Sequence, residues 1–405
     1  MRMLLVTAGS RGDVEPFVAL ARRATGSGHI VRLAAPDRSG VAAAGVDLTS
    51  LGVDYSAMIQ AHGVSLGAAM RNYRNVARPA MRAVIVNAAR AALDFRPDVI
   101  VWHPKVLSAP LIAESLGIPH VLVELVPAMT PTRAFPAAGT VTRSLGLLNR
   151  LTYSAAPAAR AMFRRDLDEA AVLLGPTVAR PAPPAATLLP ISPAILPRPD
   201  DWAESVVLTG PWRDTRRTVA PDIAGDAAPT EREVDEFTSG GPFIYAGFGS
   251  MVAGDPTERG RALLSAARAR GLRLLVATGL GGITVPEDAR GDDVLAVPTV
   301  DHETVLPHAV AAIHHGGIGT VHAATAAGTV SIIVPFIADQ PFWGSLLHRR
   351  GLAPAPIPRR RLVPERVVAA LEQAPGFEPA VASVAAQMAH EDGTATAVKV
   401  IEQLR

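Results

Sequence analysis

The chain has 405 residues, 49% of them hydrophobic and 19% charged, which predicts two well-buried domains and excludes a small module or a disordered chain. The lack of cysteine excludes disulfides, iron–sulfur clusters, cysteine-ligated zinc and thiol nucleophiles. The formal net charge of +2, with no basic run beyond residues 359–361, predicts no nucleic-acid partner.

The apolar run at the amino terminus, residues 3–6, is too short for a signal peptide, so we expect a cytoplasmic protein. Residues 304–338 carry no Asp, Glu, Lys or Arg, but they include four histidines, two prolines and four glycines. This stretch therefore predicts strand, turn, helix and strand within a domain, and no integral membrane segment. Both a monomer and a homodimer are compatible with the sequence.

Short apolar runs alternate with longer amphipathic runs in the first half of the chain, as in a parallel sheet flanked by helices. Strands are predicted over residues 3–7, 30–35, 98–102 and 120–124, with a helix over 14–25 and another that ends at Gly117. Residues 176–199 contain eight prolines, a density that predicts an extended surface segment and no central strand.

Residues 209–241 are polar and rich in turn signals, and they form the predicted interdomain linker. Beyond them, strands are predicted over 243–248, 273–277, 294–297, 309–314 and 331–335, and helices over 257–270, 367–371 and 380–404. The predicted fold class is α/β, with doubly wound parallel-sheet domains at 1–208 and 242–385 and a final helix at 386–405 that packs back on the first domain. Such sheets bind ligands beyond the carboxyl ends of their strands, so we expect a cleft between the domains.

A glycine-rich turn follows the strand predicted at 309–314 and reads His314-His315-Gly316-Gly317-Ile318-Gly319-Thr320. Glycines permit positive φ and close approach of a ligand, and the free amides of a helix start attract an anion. His315 can donate a hydrogen bond to a phosphate, a bond that strengthens as charge builds on a leaving diphosphate. The spacing fits a phosphate site and a plain strand–helix turn equally well.

The residues from His314 through Gly328 to Pro335, followed by Asp339-Gln340 and Trp343, resemble the donor motif of GT-B glycosyltransferases. Residues 335–344 are most similar to the sterol glucosyltransferase branch. Residues 9–16, Gly-Ser-Arg-Gly-Asp-Val-Glu-Pro, are similar to the start of that branch and of the vancomycin-type antibiotic enzymes, and residues 131–136 and 247–251 match further landmarks. The resemblance covers most of the chain and implies two facing Rossmann-like domains, the first for an acceptor and the second for a nucleotide-sugar.

The resemblance also implies roles for individual residues. Asp13 takes the place of the catalytic base, and Ser10 lies on the acceptor side of it. The other implied residues contact the nucleotide-sugar. The sugar is held by Asp339 and Gln340, and the nucleotide base by Thr299 and Val300. The residues implied for the diphosphate are His315, Gly316, Gly317, Gly319, Thr320 and Ser250. Thr299 stands where many family members have a tryptophan under the nucleotide base, and Ala323 stands where they have a glutamate on the ribose. The resemblance therefore does not decide between UDP and dTDP. The nucleotide-sugar is a co-substrate, and no cofactor is implied.

Two carboxylate motifs have competing interpretations. Transfer of a sugar to a hydroxyl with inversion needs a base, typically worth about 10²–10⁴-fold in rate, yet Asp13 at a helix start also suits a cap; the wider motif favours the base. Asp166-Leu167-Asp168 has the spacing of a metal-binding pair, but its amphipathic context predicts a solvated helix face. We therefore expect a metal-independent enzyme.

Apolar residues of the first domain are expected to shape the acceptor site, from residues 55–81 and 129–142. The candidates are Met58, Met70, Tyr73 and Met129, for which core packing is an equal explanation. His103, after a predicted strand, either lines that pocket or is structural. Four other histidines are expected to be structural, namely His62, His120, His348 and His390.

Together these features predict an inverting glycosyltransferase that moves a hexose or deoxyhexose from a UDP- or dTDP-sugar to a hydroxyl of a lipophilic natural product or sterol-like acceptor. The alternatives are a nucleotide-sugar epimerase of the same fold and a non-catalytic auxiliary protein of a partner transferase. A nicotinamide dehydrogenase fits less well, because residues 9–12 lack the spaced three-glycine fingerprint.

Overall fold

The computed structural model of the chain describes residues 1–39, 41, 43–55, 57–58, 73–154, 160–175, 182–214, 229–249, 251, 253–279, 281–289 and 291–404. Two of the predicted site residues, Met70 and Ser250, lie outside these residues, as do His62 and the side chain of Tyr73.

The first domain is built on a parallel sheet with the strand order β3-β2-β1-β4-β5-β6-β7 in the described part of the chain. Its strands are β1 Arg2–Val6, β2 Ile30–Ala35, β3 Asp47–Ser50, β4 Val99–Trp102, β5 His120–Val123, β6 Ala186–Leu189 and β7 Val206–Leu208. Its helices are α1 Arg11–Gly26, α2 Arg78–Phe95, α3 Ala109–Leu116 and α4 Arg164–Leu174, with a π-helical turn Tyr73–Ala77 and a 3-10 helix Gly146–Tyr153.

Alternation along β1 explains why helices cover both faces of this sheet. Leu4 and Val6 point into a core with α2, α3 and α4, whereas Met3 and Leu5 point into a core with α1. A strand buried on both faces is a continuous apolar run, which is the pattern at residues 3–6. The doubly wound arrangement predicted for this domain is confirmed.

The second domain has a parallel sheet with the order β10-β9-β8-β11-β12 among the described residues. Its strands are β8 Phe243–Gly247, β9 Arg273–Ala277, β10 Val294–Val297, β11 Ala312–His314 and β12 Ser331–Ile333. The helices that follow β7 are α5 Glu231–Ser239, α6 Pro256–Ala269, α7 His302–Val305, α8 Ile318–Ala326, α9 Gln340–Arg349, α10 Pro364–Gln373, α11 Glu378–Met388 and α12 Gly393–Glu402. Short 3-10 helices cover Glu287–Ala289, Leu306–His308, Arg359–Arg361 and Ala374–Gly376.

Contacts between the two domains include a large apolar cluster. Phe135 of the first domain packs edge-on against Phe342 of α9, with ring centroids 5.5 Å apart, inside a cluster that also holds Leu189 and Trp343. At the other end of the chain, Ala397 and Ile401 of α12 are buried in the α1 core of the first domain. The last helix thus crosses back from the second domain to the first.

The proline-rich segment and the linker differ from the prediction. Residues 186–189 between Pro184 and Pro190 form β6, which pairs in parallel with both β5 and β7, because this proline-free run keeps every amide that the ladder needs. Helix α5 lies inside the predicted linker, where Thr230 and Glu233 form a capping box. In α5, Val234 and Phe237 lie three residues apart and pack against the second-domain core, which is a helical pattern that the many turn residues around it obscured.

Candidate active site

The loop between β1 and α1 places Asp13 at the carboxyl edge of the first sheet. Its Oδ2 accepts a hydrogen bond of 2.8 Å from the backbone amide of Ser10, the residue that caps α1. Its Oδ1 lies 2.9 Å from Nζ of Lys105, which follows β4. Asp13 therefore completes the capping box of α1 through one oxygen and is an ion-pair partner through the other, so the two interpretations from the sequence do not exclude each other.

Gly9 allows these side chains to meet. It has φ of +137°, and a Cβ atom there would lie 2.0 Å from Oδ2 of Asp13 and 2.7 Å from Nζ of Lys105. Any other residue at position 9 would therefore displace the carboxylate or the ammonium group. The Asp13–Lys105 pair therefore requires glycine at position 9.

Charged and polar groups around Asp13 set its protonation. Burial raises the pKa of Asp13, but Lys105 and His103 lower it and prevail, so that the pKa lies below its usual value. Burial lowers the pKa of His103 to about 3 against the attraction of Asp13. At neutral pH the imidazole is thus neutral and the cation that faces Asp13 is Lys105.

His103 lies beside the proposed base. Its Nε2 is 3.4 Å from Oδ1 of Asp13, and its Nδ1 accepts a hydrogen bond of 3.3 Å from the backbone amide of Lys105. The sequence did not single out Lys105 as a site residue. The available signal was its place just after a parallel strand, on the same sheet edge as Asp13.

The glycine-rich turn connects β11 to α8 as predicted, and its conformation depends on glycine. Gly316 has φ of +87°, and a Cβ atom there would lie 2.8 Å from the side chain of Ile333. Gly317 caps α8 and has no side chain to bind the first amides of the helix. At Gly319 a Cβ atom would meet nothing within 4 Å. The open side of this helix start can therefore receive an anion.

The two histidines of the turn differ in their contacts. His314 is fully buried, with Nε2 2.9 Å from Oγ of Ser331 and Nδ1 accepting from the amide of Gly316 at 3.1 Å. A Cβ atom at Gly317 would lie 2.5 Å from Nε2 of His315, so this ring lies against the helix start. Burial lowers the pKa of His315 to about 4, which leaves a neutral ring with one N–H donor.

Asp339 and Gln340 begin α9 opposite Asp13. Oδ2 of Asp339 accepts a hydrogen bond of 2.7 Å from the indole of Trp343. Burial raises the pKa of Asp339, the Trp343 bond lowers it, and the negative charge of Asp13 raises it. The carboxylates of the two domains are thus within electrostatic range of each other.

Gln340 and Ala338 hold the shape of the loop before α9. Oε1 of Gln340 accepts from the amides of Phe336 at 2.7 Å and Ile337 at 3.0 Å, and Nε2 lies 3.5 Å from Sδ of Met251. Ala338 has φ of +54°, a conformation that is unfavourable for any residue but glycine. The buried Gln340 amide thus fixes a strained loop that ends in Asp339.

The amino end of α1 also faces the second domain through Arg11. Burial raises the pKa of Tyr245, and the charge of Arg11 opposes this rise. Burial also lowers the pKa of His302 to about 4, and the charge of Arg11 adds to this decrease. Tyr245 of β8 and His302 of α7 are joined at 3.0 Å. Thr299 and Val300 precede α7 at the carboxyl end of β10, and Val300 packs against the core around Tyr245. These residues were found only from the structure, apart from Thr299 and Val300.

The predicted acceptor residues with described side chains lie in two places, at the apolar core of the first domain and beside Asp13. Met58 and Met129 both pack against the core of α2 and α3, beside Tyr55. Ser10 is bound to Asp13, with Oγ 3.3 Å from Oδ2. Near Met129 the structure has a carboxylate that the sequence did not suggest, since Oε2 of the fully buried Glu124 accepts from the Met129 amide at 2.8 Å.

The Asp166-Leu167-Asp168 prediction needs a correction. The helix α4 is present, but Asp166 is buried and lies 3.5 Å from Nε of Arg78, while Asp168 is exposed. The solvated helix face is therefore wrong for Asp166, because α4 turns that side chain toward α2. Among the described residues, no group of three His, Asp or Glu is close enough to hold a metal ion.

The remaining histidines with described surroundings fill structural positions. His120 accepts from the indole of Trp102 at 3.0 Å and contacts the Ala182 carbonyl at 3.1 Å. Nδ1 of His348 lies 3.2 Å from the Ala353 carbonyl. None of the described helices is both long and apolar enough to cross a bilayer.

Two parallel-sheet domains with convergent polar groups at their facing carboxyl edges define the class of GT-B proteins. No protein-family model matches the chain. It is 33% identical to O-mycaminosyltylonolide 6-deoxyallosyltransferase of Streptomyces fradiae, covering all of this chain and 97% of that enzyme. It is 29% identical to a sterol 3-beta-glucosyltransferase of Arabidopsis thaliana, over 98% of this chain and 67% of the plant protein.

The solved structures agree with the fold. The chain superposes with a TM-score of 0.61 on the glycosyltransferase SsfS6 of Streptomyces sp. SF2575, complexed with thymidine diphosphate, at 20% identity and with coverage of 100% of this chain and 99% of SsfS6. The chain belongs to the GT-B glycosyltransferase family that includes the sterol glucosyltransferases and the antibiotic glycosyltransferases. It is a glycosyltransferase, and the family resemblance and fold class inferred from the sequence are confirmed.

Proposed function

We propose that the protein transfers a hexose or deoxyhexose, with inversion, from a UDP- or dTDP-sugar to a hydroxyl of a lipophilic natural product or sterol-like acceptor. The observation that carries this proposal is the position of the Asp13 carboxylate at the carboxyl edge of the first sheet, with Oδ2 2.8 Å from the Ser10 amide and Oδ1 2.9 Å from Nζ of Lys105. The relatives are named for O-mycaminosyltylonolide and for sterols as acceptors, which supports the lipophilic class.

Asp13 acts as the general base. The acceptor oxygen forms a bond to the anomeric carbon as the bond from that carbon to the diphosphate oxygen breaks, and the electron pair leaves with the diphosphate. The acceptor proton passes to Oδ1 of Asp13. Because a carboxylate has about four lone-pair positions, Oδ1 can accept from the acceptor hydroxyl while Lys105 remains nearby.

The start of α8 stabilises the leaving diphosphate. Free amides at Gly319 and Thr320 point out of the helix, and its dipole favours negative charge there. His315 adds an N–H donor, while Ser250 is proposed to approach from the other side. This positive helix end supplies the stabilisation that a divalent ion gives in other enzymes, and on this ground we propose a metal-independent reaction.

The other donor contacts follow from the same arrangement. Asp339 is proposed to hold the sugar hydroxyls, with Gln340 fixing the loop that carries it. Thr299 and Val300, which follow the carboxyl end of β10, are proposed to contact the nucleotide base of the donor. Met58, Met70, Tyr73 and Met129 are proposed for the apolar side of the acceptor, and His103 for its polar end beside Asp13.

Ligand screening followed by product analysis tests this function. UDP or dTDP should raise the melting temperature, since a ligand at 100 times its Kd stabilises by about 2.7 kcal/mol. With the preferred nucleotide-sugar and a panel of macrolide and sterol acceptors, mass spectrometry should show one added sugar, both with and without EDTA. Loss of the product in EDTA would disprove metal independence. Isomerised donor without acceptor would favour an epimerase, and no product in any mixture would favour an auxiliary protein.

A further inference from the structure

The 3-10 helix Gly146–Tyr153 exposes its leucines and buries Asn149 and Tyr153. Leu147 and Leu151 are 73% and 69% exposed, whereas Asn149 is completely buried. Leu148 and Leu151 are three apart, the spacing that aligns side chains in a 3-10 helix, and Leu147 is the neighbour of Leu148 and is also exposed. We call this surface the leucine patch, and its members are Val141, Leu145, Leu147, Leu148 and Leu151, all exposed.

Hydrogen bonds on the inner side fix the leucine patch in place. Oδ1 of Asn149 accepts from the amide of Leu145 at 2.8 Å, and Nδ2 donates to the Arg133 carbonyl at 2.8 Å. The hydroxyl of Tyr153 donates to the Phe135 carbonyl at 3.1 Å. The segment is thus anchored by its polar groups, and the exposure of its leucines is a property of the fold.

The charge around the leucine patch is positive. Residues 125–165 contain six arginines and no Asp or Glu, although the whole chain has a net charge of only +2. Arg143 and Arg150 lie within the patch segment, and Arg349 of α9 donates to the Thr142 carbonyl at 3.3 Å. In the described part of the chain, Arg150 faces Asp201 at 3.7 Å, and no ion pair involves Arg143 or Arg349.

The leucine patch lies next to the cleft. A Cβ atom at Gly139 would be 3.8 Å from the carbonyl of Ala338, the residue before Asp339. Residues 141–148 are all exposed, so the leucines and Arg143 are open to the surroundings of the chain. Exposed leucines with basic neighbours are complementary to the apolar and anionic boundary of a lipid bilayer.

We propose that the leucine patch docks the protein on the surface of an anionic lipid bilayer. The leucines enter the boundary between headgroups and acyl chains, while Arg143, Arg150 and Arg349 face the anionic headgroups. Docking needs neither donor nor acceptor. The bilayer would also deliver a lipophilic acceptor to the adjacent cleft, and this part of the proposal rests on the proposed function.

Vesicle flotation tests the docking without any substrate. The full-length chain should float with phosphatidylcholine vesicles that contain phosphatidylglycerol, and much less with phosphatidylcholine alone or at high salt. The triple variant Leu147→Ser, Leu148→Ser, Leu151→Ser should bind at least tenfold more weakly. Arg143→Gln should bind about fivefold more weakly, the effect of one basic residue at an anionic surface. Ile30→Ser is the matched control, since Ile30 is 57% exposed at the amino end of β2, and it should bind as the parent does.

Further measurements separate docking from folding, self-association and catalysis. Circular dichroism and melting temperature should be unchanged in the triple variant, because the leucines are exposed, and turnover of a water-soluble acceptor should be retained. Binding of the parent chain to neither vesicle, or equal binding of the triple variant, would overturn the proposal. So would a parent dimer in sedimentation velocity that the triple variant abolishes, since the leucine patch would then be a protein interface.

Discussion

Nζ of Lys105 lies 2.9 Å from Oδ1 of Asp13, so the carboxylate proposed as the base carries a permanent cation beside it. Lys105 is one of only two lysines in the chain. The pair keeps Asp13 ionised at neutral pH, but a carboxylate with a lowered pKa is also a weaker base. We therefore expect Lys105 to set both the fraction of Asp13 that is charged and the affinity of Asp13 for the acceptor proton.

Replacement of Lys105 should shift the pH dependence of turnover. In Lys105→Met, burial is no longer opposed by the ammonium group, so the pKa of Asp13 rises. The acidic limb of the kcat/KM profile should then move to higher pH by about one unit or more, the shift that about 1.4 kcal/mol of lost charge interaction produces. His103, Tyr55 and Asp339, the other titratable groups around Asp13, stay in place.

Lys105→Arg is the control for the Lys105→Met profile, because it keeps the positive charge, and its acidic limb should stay near that of the parent chain. A Lys105→Met profile that coincides with the parent profile would show that Asp13 is not the group titrating in that limb.

Asp13→Asn should abolish most turnover without harm to the fold. The amide oxygen of asparagine can still accept from the Ser10 amide, so the capping box of α1 is kept and the free energy of unfolding should change by less than about 1 kcal/mol. Turnover should fall about 10²–10⁴-fold because the base is gone, whereas calorimetry should show nearly unchanged affinity for UDP or dTDP. Turnover close to that of the parent would leave Asp13 as a helix cap alone.

Gly319→Ala should change stability and ligand affinity in opposite directions. The added methyl group meets no protein atom within 4 Å and should stabilise α8 by about 0.5–1 kcal/mol. It would occupy the space proposed for the diphosphate, so affinity for UDP or dTDP should fall tenfold or more. Gly26→Ala at the end of α1, also without a neighbour within 4 Å, is the control and should leave affinity unchanged. Equal nucleotide affinity in both variants would place the diphosphate elsewhere.

Asp339→Asn should separate sugar binding from nucleotide binding. The amide oxygen can still accept from the Trp343 indole, so α9 should begin as before. Affinity for the nucleotide-sugar should fall by about 2 kcal/mol, the usual size of a hydrogen bond to a charged group, while affinity for UDP or dTDP alone should not change. Calorimetry with both ligands measures this difference, and equal losses for the two would assign Asp339 to the nucleotide.

Stability should decrease as the pH falls from 6.5 to about 4. Burial lowers the pKa of His302 and His315 to about 4 and of His103 and His322 to about 3. In this range the unfolded chain binds protons that the folded chain excludes, so the free energy of unfolding falls with pH, by about 1.4 kcal/mol per pH unit for each such group.

Urea unfolding at several pH values measures this dependence. His322→Gln should make the free energy of unfolding depend less steeply on pH, because glutamine does not bind a proton in the unfolded chain. A variant with the same slope as the parent would mean that His322 is protonated in the folded protein.

The sequence by itself determined the local features. Apolar runs of four to six residues identified β1, β2, β4 and β5, and the spacing of glycines identified the turn at residues 314–320, because these signals depend on neighbours in the chain. The order of the motifs also predicted the family, and with it that Asp13 and Asp339 lie on opposite sides of the cleft. These predictions required no long-range contact to be known.

Only the tertiary structure decided which partners each residue has. β6 is a strand among prolines because β5 and β7 supply its hydrogen bonds, and no local pattern contains that information. Lys105 and Asp13 are 92 residues apart in the chain, and Asp166 is buried because α2 lies beside it. Pairing, burial and charge compensation depend on elements distant in sequence, so they are properties of the packed fold and not of any segment.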